Sequence, residues 1–160
     1  MSAAKQSWEE QKKAYELREL RCWADMEVGM EYEPFILHIT KEMVESIMEV
    51  TGDRNPLYWD EEEAGKSAYG GTIAPQATAV IYGRLAYLGD THRPVPGGIV
   101  TSLSFQFIKP PRVGDIITSR AKIVGKEERK GRKYFELRAE SFNQHNDLIS
   151  VMEQTAILPK

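Results

Sequence analysis

The chain has 160 residues, of which 41% are hydrophobic, with a net charge of −3 and a single cysteine. This length suits one domain with one buried core, and the lone Cys22 excludes an internal disulfide and a cysteine-built metal site. Because it has no long apolar run, no signal-peptide core and no basic face, we expect a cytosolic protein that binds neither membranes nor nucleic acid.

The first third of the sequence predicts a peripheral helix, a strand and a second helix. Residues 5–21 are rich in strong helix formers with few apolar anchors, which favours a helix lying on the surface or against a partner. Residues 22–34 form an irregular connection, and Phe35–Ile39 a strand. Thr40 then occupies the N-cap position of a helix over about residues 41–50.

Turn-forming residues are densest between Thr51 and Pro75. Asp60 and Glu63 form a capping pair for a short helix, and Gly70-Gly71 bends the backbone after it. Pro75 suits the first turn of the next helix, since proline lacks only a backbone N–H that has no helical acceptor there. This density of turn-forming residues predicts a rigid loop.

This loop holds a carboxylate, an amide and a phenol within six residues, namely Asp53, Asn55 and Tyr58. Polar side chains fixed on a rigid loop are good candidates for a functional site. The alternative is that Asp53 and Asn55 only satisfy backbone groups of the turn, as these residue types often do.

The second half predicts a buried helix followed by four strands. Residues 75–88 are apolar on nearly every face, which is typical of a buried helix, and Gly89 suits its C-terminal cap. From Ile99 the pattern alternates, with Leu103, Phe105 and Phe107 on one face, until Lys109-Pro110-Pro111 ends the strand. Three more strands are predicted over 116–124, 134–143 and 148–157, with turns at Gly131 and at Asn146-Asp147. The order indicates an α+β fold whose free sheet edge favours a dimer.

The loop also carries a motif. Gly52, Asp53, Asn55, Pro56, Leu57 and Ala64 resemble the hydratase motif of the MaoC-like dehydratases, also called R-specific enoyl-CoA hydratases. Residues 69–75 resemble the branch related to the N-terminal halves of fungal fatty-acid-synthase dehydratase domains, and residues 109–115 resemble the family's strand-exit turn. The resemblance covers residues 25–158 and implies a hot-dog fold, an antiparallel sheet wrapped around a central helix. We assign residues 1–24 to an N-terminal helical extension and 25–160 to the hot-dog domain.

The resemblance implies an acyl-CoA thioester as substrate, with no cofactor and no metal. In the family, an Asp and a His hold one water that adds across the C2=C3 bond of the thioester. Here Tyr58 occupies the histidine position, and a phenol that titrates near pH 10 is a poor base at neutral pH. The catalytic candidates are therefore Asp53 and Tyr58. The substrate-binding candidates are Asn55, Gly70, Gly71, Ala74 and Pro75.

A second departure lies at the entrance of the buried helix. Catalytic members of the family carry His-Gly there, and the glycine N–H polarises the thioester oxygen. The corresponding pair is Ala74-Pro75, and proline has no N–H to donate. Together the two departures predict a subunit that shapes the acyl pocket of a heteromer while a second hot-dog subunit supplies the Asp/His pair. Restoring histidine at position 58 alone is then not expected to create a good hydratase.

Three alternatives remain open on the sequence. The chain could be a self-sufficient homodimeric hydratase that uses Asp53 with Tyr58, a non-catalytic acyl-thioester-binding protein, or a thioesterase. Among the three histidines, His38, His92 and His145, only His92 lies in a loop suited to reach a cleft, and their scattered spacing does not fit a zinc site. The acyl group, whether fatty, steroid or aromatic, and its carrier, CoA or a protein, stay undetermined.

Overall fold

The computed structural model describes residues 7–88 and 91–159. Its helices are α1 (Trp8–Glu16), α2 (Lys41–Thr51), α3 (Glu61–Lys66) and α4 (Thr78–Leu88), with short 3-10 turns at Trp23–Asp25 and Pro56–Tyr58. Its strands are β1 (Leu20–Arg21), β2 (Phe35–His38), β3 (Arg93–Pro94), β4 (Ile99–Phe107), β5 (Ile116–Arg129), β6 (Arg132–Phe142) and β7 (Leu148–Leu158). The predicted helix–strand order of the domain is confirmed.

The five long strands form one antiparallel sheet in the order β2-β5-β6-β7-β4. Lys130 and Gly131 at the β5–β6 turn both have positive φ, as does Asn146 before β7, which places the predicted turn residues at the required positions. The long connection from β4 to β5 carries the chain across the sheet, so β4 pairs only with β7 and lies at an edge.

Helix α4 lies against the inner face of this sheet. Tyr82 and Ala86 are buried, and they belong to two neighbouring apolar clusters that the sheet completes. The predicted central helix is therefore confirmed, but it begins at Thr78 rather than at Pro75. The carbonyl of Pro75 accepts hydrogen bonds from the backbone N–H and the hydroxyl of Thr78, so residues 75–77 form a turn before the helix. The predicted cap at Gly89 lies outside the described residues.

The N-terminal helix is shorter than predicted. It spans Trp8–Glu16, begins at a capping box formed by Ser7 and Glu10, and has no buried residue, while the predicted start at residue 5 lies outside the described residues. After it, β1 pairs in parallel with β3. The sequence did not predict this two-strand contact, because two-residue strands carry no periodicity and one of them contains a proline. The division of the chain at residue 24 stays a prediction.

Replacement of Leu137 by alanine tests the core. Leu137 is fully buried on β6, and truncation of a buried leucine usually costs about 2–5 kcal/mol because it leaves a cavity. We expect a loss of that size in the free energy of unfolding, measured by urea denaturation. Val50→Ala on the exposed face of α2 is the matched control and should change the free energy of unfolding by less than about 0.5 kcal/mol. Equal effects of both substitutions would contradict the assigned core.

Alkaline pH should destabilise the chain. Burial raises the pKa of Tyr82 and of Tyr87 above the usual value, although hydrogen bonds with Ser150 and Gln154 oppose the shift. As the pH rises above about 10, the unfolded phenols lose their protons before the folded ones do, so the free energy of unfolding falls. Urea denaturation between about pH 8 and pH 11 should show this fall, and Tyr82→Phe should make it shallower. An unchanged slope in that variant would contradict the shift at Tyr82.

Candidate functional site

The loop after α2 is built from two consecutive side-chain turns. Gly52 ends the helix in the left-handed conformation, with φ of 72°. The Asp53 carboxylate then accepts the backbone N–H of Asn55 at 3.1 Å, and the Asn55 side-chain oxygen accepts that of Leu57 at 3.1 Å. Both polar residues therefore do satisfy turn backbone groups, as the alternative interpretation expected. The same bonds fix the 3-10 turn that carries Tyr58.

A cleft of about 410 Å³ opens beside this turn, next to the N-terminal end of α4. The segment that forms its floor is held from two sides, since Ile73 N–H donates to the Leu57 carbonyl and Ala74 N–H donates to the Pro111 carbonyl. Three segments make the remaining walls: the 3-10 turn, helix α4, and the end of β4 with the proline pair after it.

Of the predicted site residues, three line the cleft: Asn55, Tyr58 and Ala74. The others lie in neighbouring backbone without forming its wall: Asp53, Gly70, Gly71 and Pro75. The structure therefore places three of the seven predicted residues around one cleft. The catalytic and substrate-binding roles of all seven residues stay predictions.

Tyr58 is the titratable group whose environment matters most in the cleft. Partial burial raises the pKa of its phenol above the usual value, and the negative charge of Asp53 raises it further, while a hydrogen bond with Asn55 acts in the opposite direction. The phenol is therefore protonated at neutral pH. It can donate a hydrogen bond, but it cannot accept the proton of an attacking water.

The entrance of α4 differs from the sequence-based expectation at Gln76. Pro75 has no N–H, but the next residue, Gln76, lines the cleft. The backbone N–H of Gln76 has no acceptor among the described residues, because it precedes the first helical turn. A hydrogen-bond donor is thus available one residue later than the position that the sequence comparison considered. The sequence does contain a signal for this donor, because the residue that follows a proline at a helix entrance keeps a backbone N–H with no helical acceptor.

Sequence reasoning missed three further lining residues with polar side chains: Tyr69, Tyr82 and Lys109. The first two lie in segments assigned to turns or to the core, and nothing in their spacing marks them as part of a site. Lys109 was assigned only to the end of β4. Its ammonium group forms an ion pair with Asp147 at 3.1 Å at the rim of the cleft.

None of the histidines lines this cleft. His38 lies exposed on β2, and His145 lies exposed in the turn before β7. His92, the one predicted to be suitably placed, contacts Arg21 and Thr91 on the other side of the domain. Within residues 7–88 and 91–159, no group of three His, Cys, Asp or Glu side chains could hold a metal ion. Each helix in these ranges is too short or too polar to span a bilayer.

Comparison with known proteins gives concordant results. Residues 26–152 match the family model "FAS1-like, dehydratase domain region". The chain is similar to the 3-hydroxybutyryl-CoA dehydratase of Methylorubrum extorquens, with 32% identity over 109 residues, 67% of this chain and 68% of the relative.

Two solved structures have the same fold at lower identity. The R-hydratase PhaJ1 of Pseudomonas aeruginosa superposes with a TM-score of 0.71 at 23% identity, covering 86% of this chain and 85% of that one. A chain of the HadBC complex, a 3R-hydroxyacyl-ACP dehydratase of Mycobacterium tuberculosis, superposes with a TM-score of 0.67 at 22% identity. The alignment covers 81% of this chain and 95% of that one.

Proposed function

The chain belongs to the family of FAS1-like dehydratase domain regions and has the hot-dog fold, and on that premise we propose that it is one half of a heteromeric hydratase. Its substrate is an enoyl-CoA or 3-hydroxyacyl-CoA thioester, bound in the cleft beside Tyr58. This chain shapes the acyl pocket. A second hot-dog subunit with an intact Asp/His pair activates the water that adds across the C2=C3 bond.

The observation that carries this proposal is the protonation state of the Tyr58 phenol. Hydration needs a group that takes a proton from water near neutral pH, and the raised pKa of the phenol keeps it protonated there. Asp53 is left as the only carboxylate of the motif, without the imidazole that would share its role. A cleft whose acid–base pair is incomplete suits a pocket-forming half.

The exposed edge at β4 supports a second subunit. β4 pairs only with β7, so its other side presents free backbone N–H and C=O groups. Leu103 and Phe107 on this strand and Val80 on α4 are all exposed apolar side chains. Phe107 also lines the cleft. A partner that extends the sheet at β4 would therefore cover this apolar surface and complete the wall of the cleft.

The related proteins fit the same chemistry. The 3-hydroxybutyryl-CoA dehydratase suggests a short acyl chain on CoA, and the HadBC chain comes from a complex. We therefore propose crotonyl-CoA as the first substrate to test.

The experiment compares the purified chain with a complex that contains a hot-dog chain from the same host in which the Asp/His pair is intact. Loss of the enoyl absorbance of crotonyl-CoA measures hydration, and light scattering gives the assembly. We expect little turnover from the chain alone and full turnover from the complex. A homodimer with full turnover and no second subunit would contradict the proposal.

Asp53→Asn distinguishes this proposal from a self-sufficient homodimer. The amide oxygen of asparagine can still accept the Asn55 N–H, so the turn should keep its structure. If this chain only shapes the pocket, the complex should keep most of its hydratase activity. If Asp53 is instead the base of a self-sufficient enzyme, the variant should lose turnover while its thermal unfolding stays unchanged.

A further inference from the structure

A second cavity lies at the other end of α4. It has a volume of about 280 Å³ and shares no lining residue with the cleft. Between the two, helix and sheet are in close contact at Gly83, where an added Cβ would lie 3.1 Å from Phe105 and 3.2 Å from Met152. The cavity is therefore a separate feature, which we call the Gln154 pocket. Its wall includes Arg84, Tyr87, Arg93, Val100, Phe135 and Gln154.

The Gln154 side chain gives this pocket an unpaired polar group. Gln154 is only 2% exposed, and its oxygen accepts the Tyr87 hydroxyl at 2.9 Å. Its amide nitrogen is buried without an acceptor in the part of the chain that the structure describes. A buried donor without a partner destabilises the fold, so an acceptor that entered the pocket would be stabilised.

The charge of the wall favours an anion. Arg84 and Arg93 both line the pocket, and no acidic side chain among residues 7–88 and 91–159 does. The Arg84 guanidinium lies 5.6 Å from the centroid of the Tyr87 ring and forms no ion pair among the described residues. The C-terminal end of α4 contributes only about half a negative charge here, which two guanidinium groups exceed.

We propose that the Gln154 pocket binds the carboxylate of a small monocarboxylic acid. The carboxylate accepts hydrogen bonds from the Gln154 amide nitrogen and from the Arg84 guanidinium. A short hydrocarbon chain lies against Val100, Phe135 and Leu158. The ligand has only a few carbons, since the cavity is at the lower end of the roughly 300–1,000 Å³ that small-molecule sites usually have.

Sodium hexanoate is the probe, titrated into the uniformly nitrogen-15-labelled full chain and followed by NMR. The side-chain NH₂ signals of two glutamines report on the two cavities separately, because Gln154 lines the pocket and Gln76 lines the cleft. We expect a saturable shift at Gln154. Arg84→Gln should weaken this binding about 10-fold or more, as should exchange of hexanoate for neutral hexanol, because each removes the charge-assisted interaction between the carboxylate and Arg84.

Three results would overturn the proposal: no shift at Gln154, a shift only at Gln76, or equal binding of hexanol and hexanoate. The last would mean that the pocket is merely apolar, and the first that the Gln154 amide is satisfied by water alone. Gln154→Met is a second variant that removes the amide and keeps the side-chain length. If it fails to fold, the Arg84→Gln comparison still decides. Hydratase activity does not enter the readout, so failure here and failure of the proposed function are distinguishable.

Discussion

Replacement of Tyr58 by histidine should make the isolated chain hydrate crotonyl-CoA about 10²–10⁴ times faster than the wild-type chain. Imidazole titrates near pH 6.5 and can accept a proton from water, whereas the pKa of the phenol is raised by burial and by Asp53. The new side chain would lie in the cleft wall where Tyr58 lies, beside Asn55. The loop geometry should persist, since its hydrogen bonds involve the backbone and the side chains of Asp53 and Asn55.

Tyr58→Phe is the matched control for this gain. It removes the phenol without adding a base, so its activity should stay at or below the wild-type level. The rate of the histidine variant should also rise with pH through the imidazole pKa, which a purely structural effect would not produce. A Tyr58→His variant no faster than Tyr58→Phe would show that the cleft lacks more than a base.

The sequence alone argued against this gain in activity, because Pro75 has no N–H at the position where the family has its oxyanion donor. The structure changes the argument at one residue. Position 75 does lack an N–H, but Gln76 lines the cleft, and its backbone N–H has no acceptor within residues 7–88 and 91–159. A one-residue difference in where a turn becomes a helix is below what propensity and spacing resolve, because helix ends are the least certain part of any sequence-based prediction.

The parts of the fold that were predicted correctly have strong periodic signals. Alternation placed Leu103, Phe105 and Phe107 on one face of β4, and the apolar pattern of residues 78–88 identified the central helix. Asn146 and Gly131 marked turns that need positive φ. Each of these signals is local, so a single sequence carries it in full.

What the sequence could not give depends on contacts between distant residues. The pairing of β1 with β3 joins segments about seventy positions apart, and no local sequence pattern indicates it. The same holds for the buried Gln154 amide, since only the folded structure places the Tyr87 hydroxyl beside its oxygen and leaves its nitrogen without an acceptor among the described residues. The cleft likewise forms from four segments, of which the motif identified one.

We expect a second large effect on hydratase turnover when the backbone N–H of Gln76 is removed from the Tyr58→His chain. If this N–H polarises the thioester oxygen as negative charge develops there, Gln76→Pro should lower the turnover number about 10²–10³-fold. Gln76 is the second residue of the turn closed by the Thr78 N–H and the Pro75 carbonyl, and proline is favoured there in type I and II turns.

Gln76→Ala is the matched control, because alanine removes the side chain and keeps the backbone N–H. It should retain most of the hydratase activity of the Tyr58→His chain, and both variants should unfold at similar temperatures because the N–H has no protein acceptor to lose. Equal losses in the proline and alanine variants would assign the effect to the Gln76 side chain. Full activity in Gln76→Pro would mean that another donor stabilises the oxyanion.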